Sequence, residues 1–199
     1  MLEKLRLLED DVVRLRPMEI SDLPALSRIA FDPNIWTYFV YAIRTPAELA
    51  TYVDDAVRDR ACGSRYTFVI EDRASGELIG SSAFGNHSHK DRRIEIGWSW
   101  VGVRYLGTGA NKHAKFLLMS YAFDLMQQER VEFKTDVLNR RARHALLKIG
   151  AKEEGILRSH TLMPDGRRRD TIFYSVLASE WPAVRDALFA DCRRMEIAA

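Results

Sequence analysis

The sequence predicts an α/β (α+β) fold built on one mixed, mostly antiparallel sheet flanked by helices. Three observations carry that expectation. Apolar residues alternate with period two in Val12–Arg16, Tyr66–Glu71 and Arg92–Val101. They recur at helical spacing in Asn111–Gln128. The two patterns interleave along the chain, in the order strand, two helices, three strands, helix, strand, helix, hairpin. With 199 residues and no linker, repeat or low-complexity run, a single domain over 1–199 is expected.

Each element has a local cause. Val12–Arg16 (VVRLR) is a strand stopped by Pro17. Ser21 and Asp22 can cap a helix over Leu23–Ala30, which Asp32-Pro33 ends. Asn34–Ala42 (NIWTYFVYA) is aromatic and irregular. It reads either as core packing or as one wall of an apolar substrate pocket, with Trp36 and Tyr38 as the substrate-facing candidates. Thr45 caps and Pro46 opens a helix running to about Arg60. Tyr66–Glu71 and Glu77–Phe84 pair about a turn at Arg73–Gly76. Gly85–Asp91 is a loop carrying His87 and His89.

Arg92–Val101 follows, its alternation placing Ile94, Ile96 and Trp98 on one face and Glu95 and Ser99 on the other. The helix over Asn111–Gln128 buries Phe116, Leu117, Met119, Ala122, Phe123 and Met126. Val131–Val137 is a strand. Asn139 caps a helix that ends at Gly150. Ala151–Leu162, bulged near Gly155, and Arg168–Leu177 form a hairpin about Met163–Gly166. A last helix spans Ala183–Met195.

Bulk properties narrow the function classes. The chain is 47% hydrophobic and 29% charged, an ordinary globular balance. No apolar run approaches the ~20 residues of a membrane span, so no membrane role is expected. The opening MLEKLRLLED lacks the apolar core of a signal peptide. Cys62 and Cys192 are expected to stay reduced, in a cytoplasmic setting. A net charge of +2 makes no case for a direct nucleic-acid role. No metal-ligand set is assigned.

The chemistry concentrates at Glu95–Tyr121. Gly107 and Gly109 sit where a strand hands over to a helix, a turn that exposes backbone N–H groups at the positive end of the helix dipole. Such a turn binds an anion, most often phosphate. It is not a Walker loop, because Gly109-Ala110-Asn111 stands where Gly-Lys-Ser/Thr is needed. It is not a Rossmann turn, because it comes mid-chain after an antiparallel meander.

Three motifs in order carry a resemblance over nearly the whole chain. Arg104-Tyr-Leu-Gly107-Thr-Gly109 spells a glycine signature, although the helix residues Tyr121-Ala122-Phe123 set its register two positions later, at Leu106–Asn111. Asn139-Arg-Arg-Ala142 precedes Lys148-Ile-Gly150-Ala151. Glu154-Gly155-Ile-Leu-Arg158 leads to Pro164-Asp165-Gly166 and Tyr174-Ser175. In these the chain resembles the GCN5-related N-acetyltransferases (GNAT), in the branch of the RimJ/RimL-like ribosomal-protein N-terminal acetyltransferases.

The resemblance implies a GNAT-like fold whose central strands splay apart around acetyl-CoA, with CoA as product. Backbone groups of Leu106, Gly107, Thr108, Gly109, Ala110 and Asn111 would hold the pyrophosphate. Those of Trp100, Val101 and Val103 would pair with the pantetheine arm, and Asn139 would touch the arm while capping its helix. The acceptor would be a primary amine, either a protein N-terminus (a ribosomal protein among them) or a small molecule. Glu95 is the candidate base; it reads equally as a structural carboxylate paired with Arg92 or Arg93, or as an amine anchor. A backbone N–H near Val101 would meet the developing oxyanion. His87 is a candidate for holding substrate or relaying protons. The family's usual acid positions hold Ala142 and Leu146, so the thiolate either leaves unassisted or takes its proton from water or a distant residue such as Tyr174. A homodimer is also implied. The alternative is a non-catalytic acyl-CoA-binding module. Lys112, Lys115 and the arginines at 140, 141 and 143 read as a solvated face or as partners of the CoA 3′-phosphate. Arg167, Arg168 and Arg169 crowd one hairpin tip, where they could contact an acidic substrate or ribosomal RNA.

Overall fold

A computed structural model of the chain describes residues 7–192 and the backbone of residues 196–198. Alternating segments pair to build one sheet. Its strands are β1 (Leu7–Glu9), β2 (Val13–Pro17), β3 (Arg65–Asp72), β4 (Leu78–Ser88), β5 (Arg93–Val101), β6 (Arg130–Asp136), β7 (Lys152–Leu162), β8 (Arg168–Leu177) and β9 (Glu196–Ala198). In space they run β7-β8-β6-β5-β4-β3-β2-β1-β9. Every neighbouring pair is antiparallel except β5 with β6.

Helices cover both faces. Helix α1 (Leu23–Leu26), α2 (Pro33–Trp36) and α3 (Pro46–Ala61) lie over one face; α4 (Ala110–Ser120), α5 (Arg140–Lys148) and α6 (Trp181–Leu188) pack with the larger core on the other. Helix α3 starts as its sequence requires, with a reciprocal capping box between Thr45 and Glu48 and Pro46 in the first turn. Helix α4 continues through a π turn at Tyr121–Leu125. It buries Leu117, Leu118 and Met119 completely, each contributing about 1.5–3 kcal/mol relative to exposure. The second core gathers Leu26, Trp36, Leu49, Val53, Val69 and Trp100 under α1–α3.

Four expectations are corrected. The helix predicted over Leu23–Ala30 is one turn long, because the Ala30 carbonyl accepts the Trp36 indole N–H at 2.6 Å and the chain folds back there. Asp22 does not cap that helix; it accepts the Glu19 backbone N–H and pairs with Arg16. The expected loop Gly85–Asp91 is largely strand, since β4 runs on to Ser88. The last helix ends at Leu188 rather than Met195: Phe189 leaves helical geometry and buries its ring beside Phe116 and Trp181. Positions 193–195 lie outside the described residues. The strand β1 was not anticipated; it pairs with β2 and β9.

One departure shapes the site. Trp98 has φ of 51°, and the β4–β5 register slips by one residue between Ala83/Gly97 and Ser81/Trp100. This β-bulge inverts the alternation beyond it. Ser99 therefore turns to α4, where it meets Lys115, while Trp98 turns to the face of Glu95 and stacks near Lys134 and Arg65. The bulged strand is pinned at its end by Gly80, opposite Val101. A Cβ on Gly80 would lie 2.1 Å from the Trp100 carbonyl oxygen and 2.8 Å from Val101 Cα. Gly80→Ala is therefore expected to destabilise the fold by at least ~1–3 kcal/mol in urea unfolding. Gly76→Ala, with φ of 70° but open space around it, should cost only ~1 kcal/mol; equal losses at the two positions would refute this account of the strand end.

Candidate active site

The parallel ladder between β5 and β6 lasts three rungs: Arg93–Arg130, Ile94–Val131 and Glu95–Glu132. Beyond Glu95 the strands part. β5 stays with β4 as far as Val101, and β6 stays with β8 as far as Asp136. The gap between them opens into a cavity of about 500 Å³ that passes through the sheet. Leu106, Gly107, Asn111 and Asn139 line it on the α4–α5 side, Tyr38, Phe39 and Tyr41 on the other, and Glu95, Trp100 and Val101 between.

The glycine turn has the conformation its sequence suggests. Gly107 and Gly109 hold φ of 80° and 90°, and Gly109 is the N-cap of α4. Their N–H groups donate to no acceptor among the described residues, and a Cβ on either would meet nothing within 4 Å. Such a turn can take an oxyanion at the helix end. Asn139 caps α5 by accepting the Ala142 N–H at 3.0 Å while facing the cavity.

Glu95 is 4% exposed. Its Oε2 accepts from Asn86 Nδ2 at 2.7 Å and from Lys134 Nζ at 2.9 Å. Neither Arg92 nor Arg93 holds it; they pair with Glu129 and with Asp91 and Glu132. Its Oε1 lies against Gly97, where a Cβ would stand 2.8 Å away. Glycine at 97 lets the carboxylate lie along the strand, into the cavity.

Other candidates are placed elsewhere. Val103 sits in a 3₁₀ turn outside the cavity lining, and Thr108, Gly109 and Ala110 belong to the turn without lining the cavity. Trp36 is core, not pocket wall: it packs against Phe39, Tyr41 and Trp100 with its N–H already taken. His87 stacks on His89 at 4.0 Å, away from the lining, and burial lowers its pKa. Tyr174 is fully buried, its hydroxyl between Arg143 and Glu153, so it faces no thiolate in the cavity. Ala142 and Leu146 do line the cavity. Of the substrate-facing candidates, Tyr38 alone reaches it.

Two cavity residues were read from the sequence only as members of basic runs. Lys115 is not on a solvated face; it is 4% exposed, and its ammonium donates to Ser82 and Ser99 beneath the β5 bulge. Burial lowers its pKa to about 7, against an opposing pull from Glu95. Its position among six apolar helix residues was the available signal. Arg169 is 8% exposed and lines the cavity from β8. The other two arginines of that run are engaged, Arg167 by Asp136 and Arg168 by Ser159.

The profile of the acetyltransferase (GNAT) domain family matches residues 13–152. The chain belongs to the GNAT acetyltransferase family. It is 27% identical over 84% of its length, and 93% of the relative's, to p20 of Bacillus licheniformis, which bears the name N-acetyltransferase. A GCN5-related N-acetyltransferase from Brucella melitensis superposes with a TM-score of 0.85 at 32% identity, covering 93% of this chain and 84% of that one. Mycobacterium smegmatis RimJ in complex with CoA-disulfide superposes with a TM-score of 0.79 at 26% identity, covering 98% and 96%. The GNAT fold uses acetyl-CoA as cosubstrate, and the free amides of the glycine turn suit its phosphates.

Lys115 offers a test that needs no substrate. A lysine whose pKa is about 7 when folded, against ~10.4 unfolded, leaves the unfolded state with more bound protons between those values. Stability should therefore rise with pH across that window, by at most ~1.4 kcal/mol per pH unit from this one group. Lys115→Met should flatten the rise in urea unfolding from pH 7 to 10. Parallel pH profiles for the two proteins would contradict the buried ammonium.

Proposed function

We propose that this GNAT acetyltransferase moves the acetyl group of acetyl-CoA to a primary amine, with Glu95 as the base. The observation that carries the reading is that one gap in the sheet joins a free-amide glycine turn on one side to a buried carboxylate on the other. Leu106–Asn111 holds the pyrophosphate by backbone N–H groups, with Asn139 and the unpaired edge of β5 at Trp100–Val101 along the pantetheine arm. Bound there, acetyl-CoA supplies an activated acyl carbon within the gap. An amine of pKa ~8–10 is mostly protonated at neutral pH, so it must lose a proton before attack. Oε1 of Glu95, which has no partner among the described residues, takes that proton directly or through one water. Lys134 and Asn86 hold the other oxygen and fix the carboxylate. The C–N bond forms and the C–S bond breaks, the nitrogen's second proton passes to water, and the departing thiolate takes one up from water, because Ala142 and Leu146 offer none.

A Bacillus subtilis relative named for ribosomal N-acetyl transfer, 33% identical over 53% of this chain and 57% of its own, makes the N-terminus of a ribosomal protein one acceptor to try. Thiol release from acetyl-CoA across a panel of amines and peptide N-termini tests the reading. Glu95→Gln should lower kcat by ~10²–10⁴-fold and leave CoA affinity within about twofold. Tight CoA binding with no turnover on any amine would favour a non-catalytic acyl-CoA-binding module. An unaltered kcat in Glu95→Gln would remove Glu95 as the base.

A further inference from the structure

Arg169 is a buried cation with no anion. Its Nε is inaccessible and without a hydrogen-bond partner, and the guanidinium makes no ion pair among the described residues. Of the two acids that act on its charge, Asp136 is already engaged by Arg167 and the Leu138 N–H, and Glu95 by Lys134 and Asn86. A buried, unpaired charge costs several kcal/mol, and a guanidinium cannot shed its proton to escape that cost.

The sheet register places Arg169 on the acceptor side. Glu95 pairs with Glu132, and Lys134 and Asp136 follow on the same face of β6. Opposite them on β8 stand Ser175, Phe173 and Thr171, and Arg169 is the next residue of that face. It lines the same cavity as Glu95, under the Tyr38–Tyr41 wall. The CoA phosphates belong at Leu106–Asn111, across the sheet, and the acyl arm carries no charge.

We propose that the acceptor is an amine bearing a nearby carboxylate, which Arg169 binds while the amine faces Glu95. This rests on the acetyl-transfer reading. The chemistry is shared by two sources, a free amino acid and a peptide whose N-terminal residue is Asp or Glu. Polyamines and other cationic amines lack it.

The test compares matched pairs: free amino acids against their α-amides, and hexapeptides starting with Asp or Glu against those starting with Asn or Gln. A charge-assisted hydrogen bond of ~1.5–3 kcal/mol predicts kcat/KM about 10- to 100-fold higher for the carboxylate member of one set. Whichever set shows the ratio identifies the source. Arg169→Gln should collapse it to within about threefold by raising KM, with CoA affinity unchanged, and Arg169→Lys should restore part of it. Calorimetric titration of the protein–CoA complex with the same pairs covers the case of no turnover. Carboxylate-selective binding that Arg169→Gln abolishes would then sustain the inference while acetyl transfer fails. Equal turnover or equal binding of both members, no binding of either, or discrimination that survives in Arg169→Gln would overturn it. Arg169→Met serves as the folding control: loss of an unpaired buried charge should leave its Tm no lower than the parent's.

Discussion

Everything at this site depends on the parting of β5 from β6 after three rungs. Strand pairing satisfies backbone donors and acceptors, and a ladder that stops inside a protein leaves some of them without partners. Here the break is held open from both sides. Trp98 bulges β5 toward β4, and β6 is drawn along seven rungs of continuous pairing with β8. With both outer ladders intact, the sheet tolerates the gap. A cavity that passes through a sheet, rather than lying on it, lets two reactants approach from opposite faces.

The bulge also decides which side chains face which side of the gap. Up to Gly97 the alternation is regular, so Glu95 shares a face with Lys134 and the aromatic wall. One extra residue then sends Ser99 to the α4 face and Trp98 to the face of Glu95. Without that slip, Ser99 could not receive the Lys115 ammonium. Backbone geometry at a single residue thus sets the polar character of both halves of the gap.

Local rules explain what was legible in the chain. Thr45 and Pro46 announce α3; Asn139 and Gly150 bracket α5; Met163–Gly166 marks the β7–β8 turn. The conformation of the two glycines and the Asn139 cap follow from their neighbours in sequence, whereas Glu95 was singled out through the family resemblance. What failed depends on distant partners. The short α1 is set by a hydrogen bond from Trp36 to Ala30, the end of α6 by the burial of Phe189, and the early strand β1 by pairing with β2 and β9. The bulge reflects packing of the Trp98 ring over Gly85, which no periodicity encodes. Arg169 hid in a run of three arginines. Strand alternation alone puts it in register with Thr171 and Phe173, but only the sheet shows that this register faces the cavity.

The charges around the gap fall into two kinds. Glu95 with Lys134 and Asp136 with Arg167 are matched pairs. Lys115 and Arg169 are single cations on opposite faces of the same opening. Burial penalises both, but they can respond differently. Lys115 has a pKa of about 7 and relieves the penalty by giving up its proton, with Ser82 and Ser99 ready to hydrogen-bond the amine. Arg169 keeps its charge at every pH the fold survives, even though burial lowers its pKa. Its charge is compensated in part by Asp136 and Glu95, neither of which forms an ion pair with it. The lysine can therefore stand neutral beside its two serines, whereas the arginine stays a cation facing the cavity.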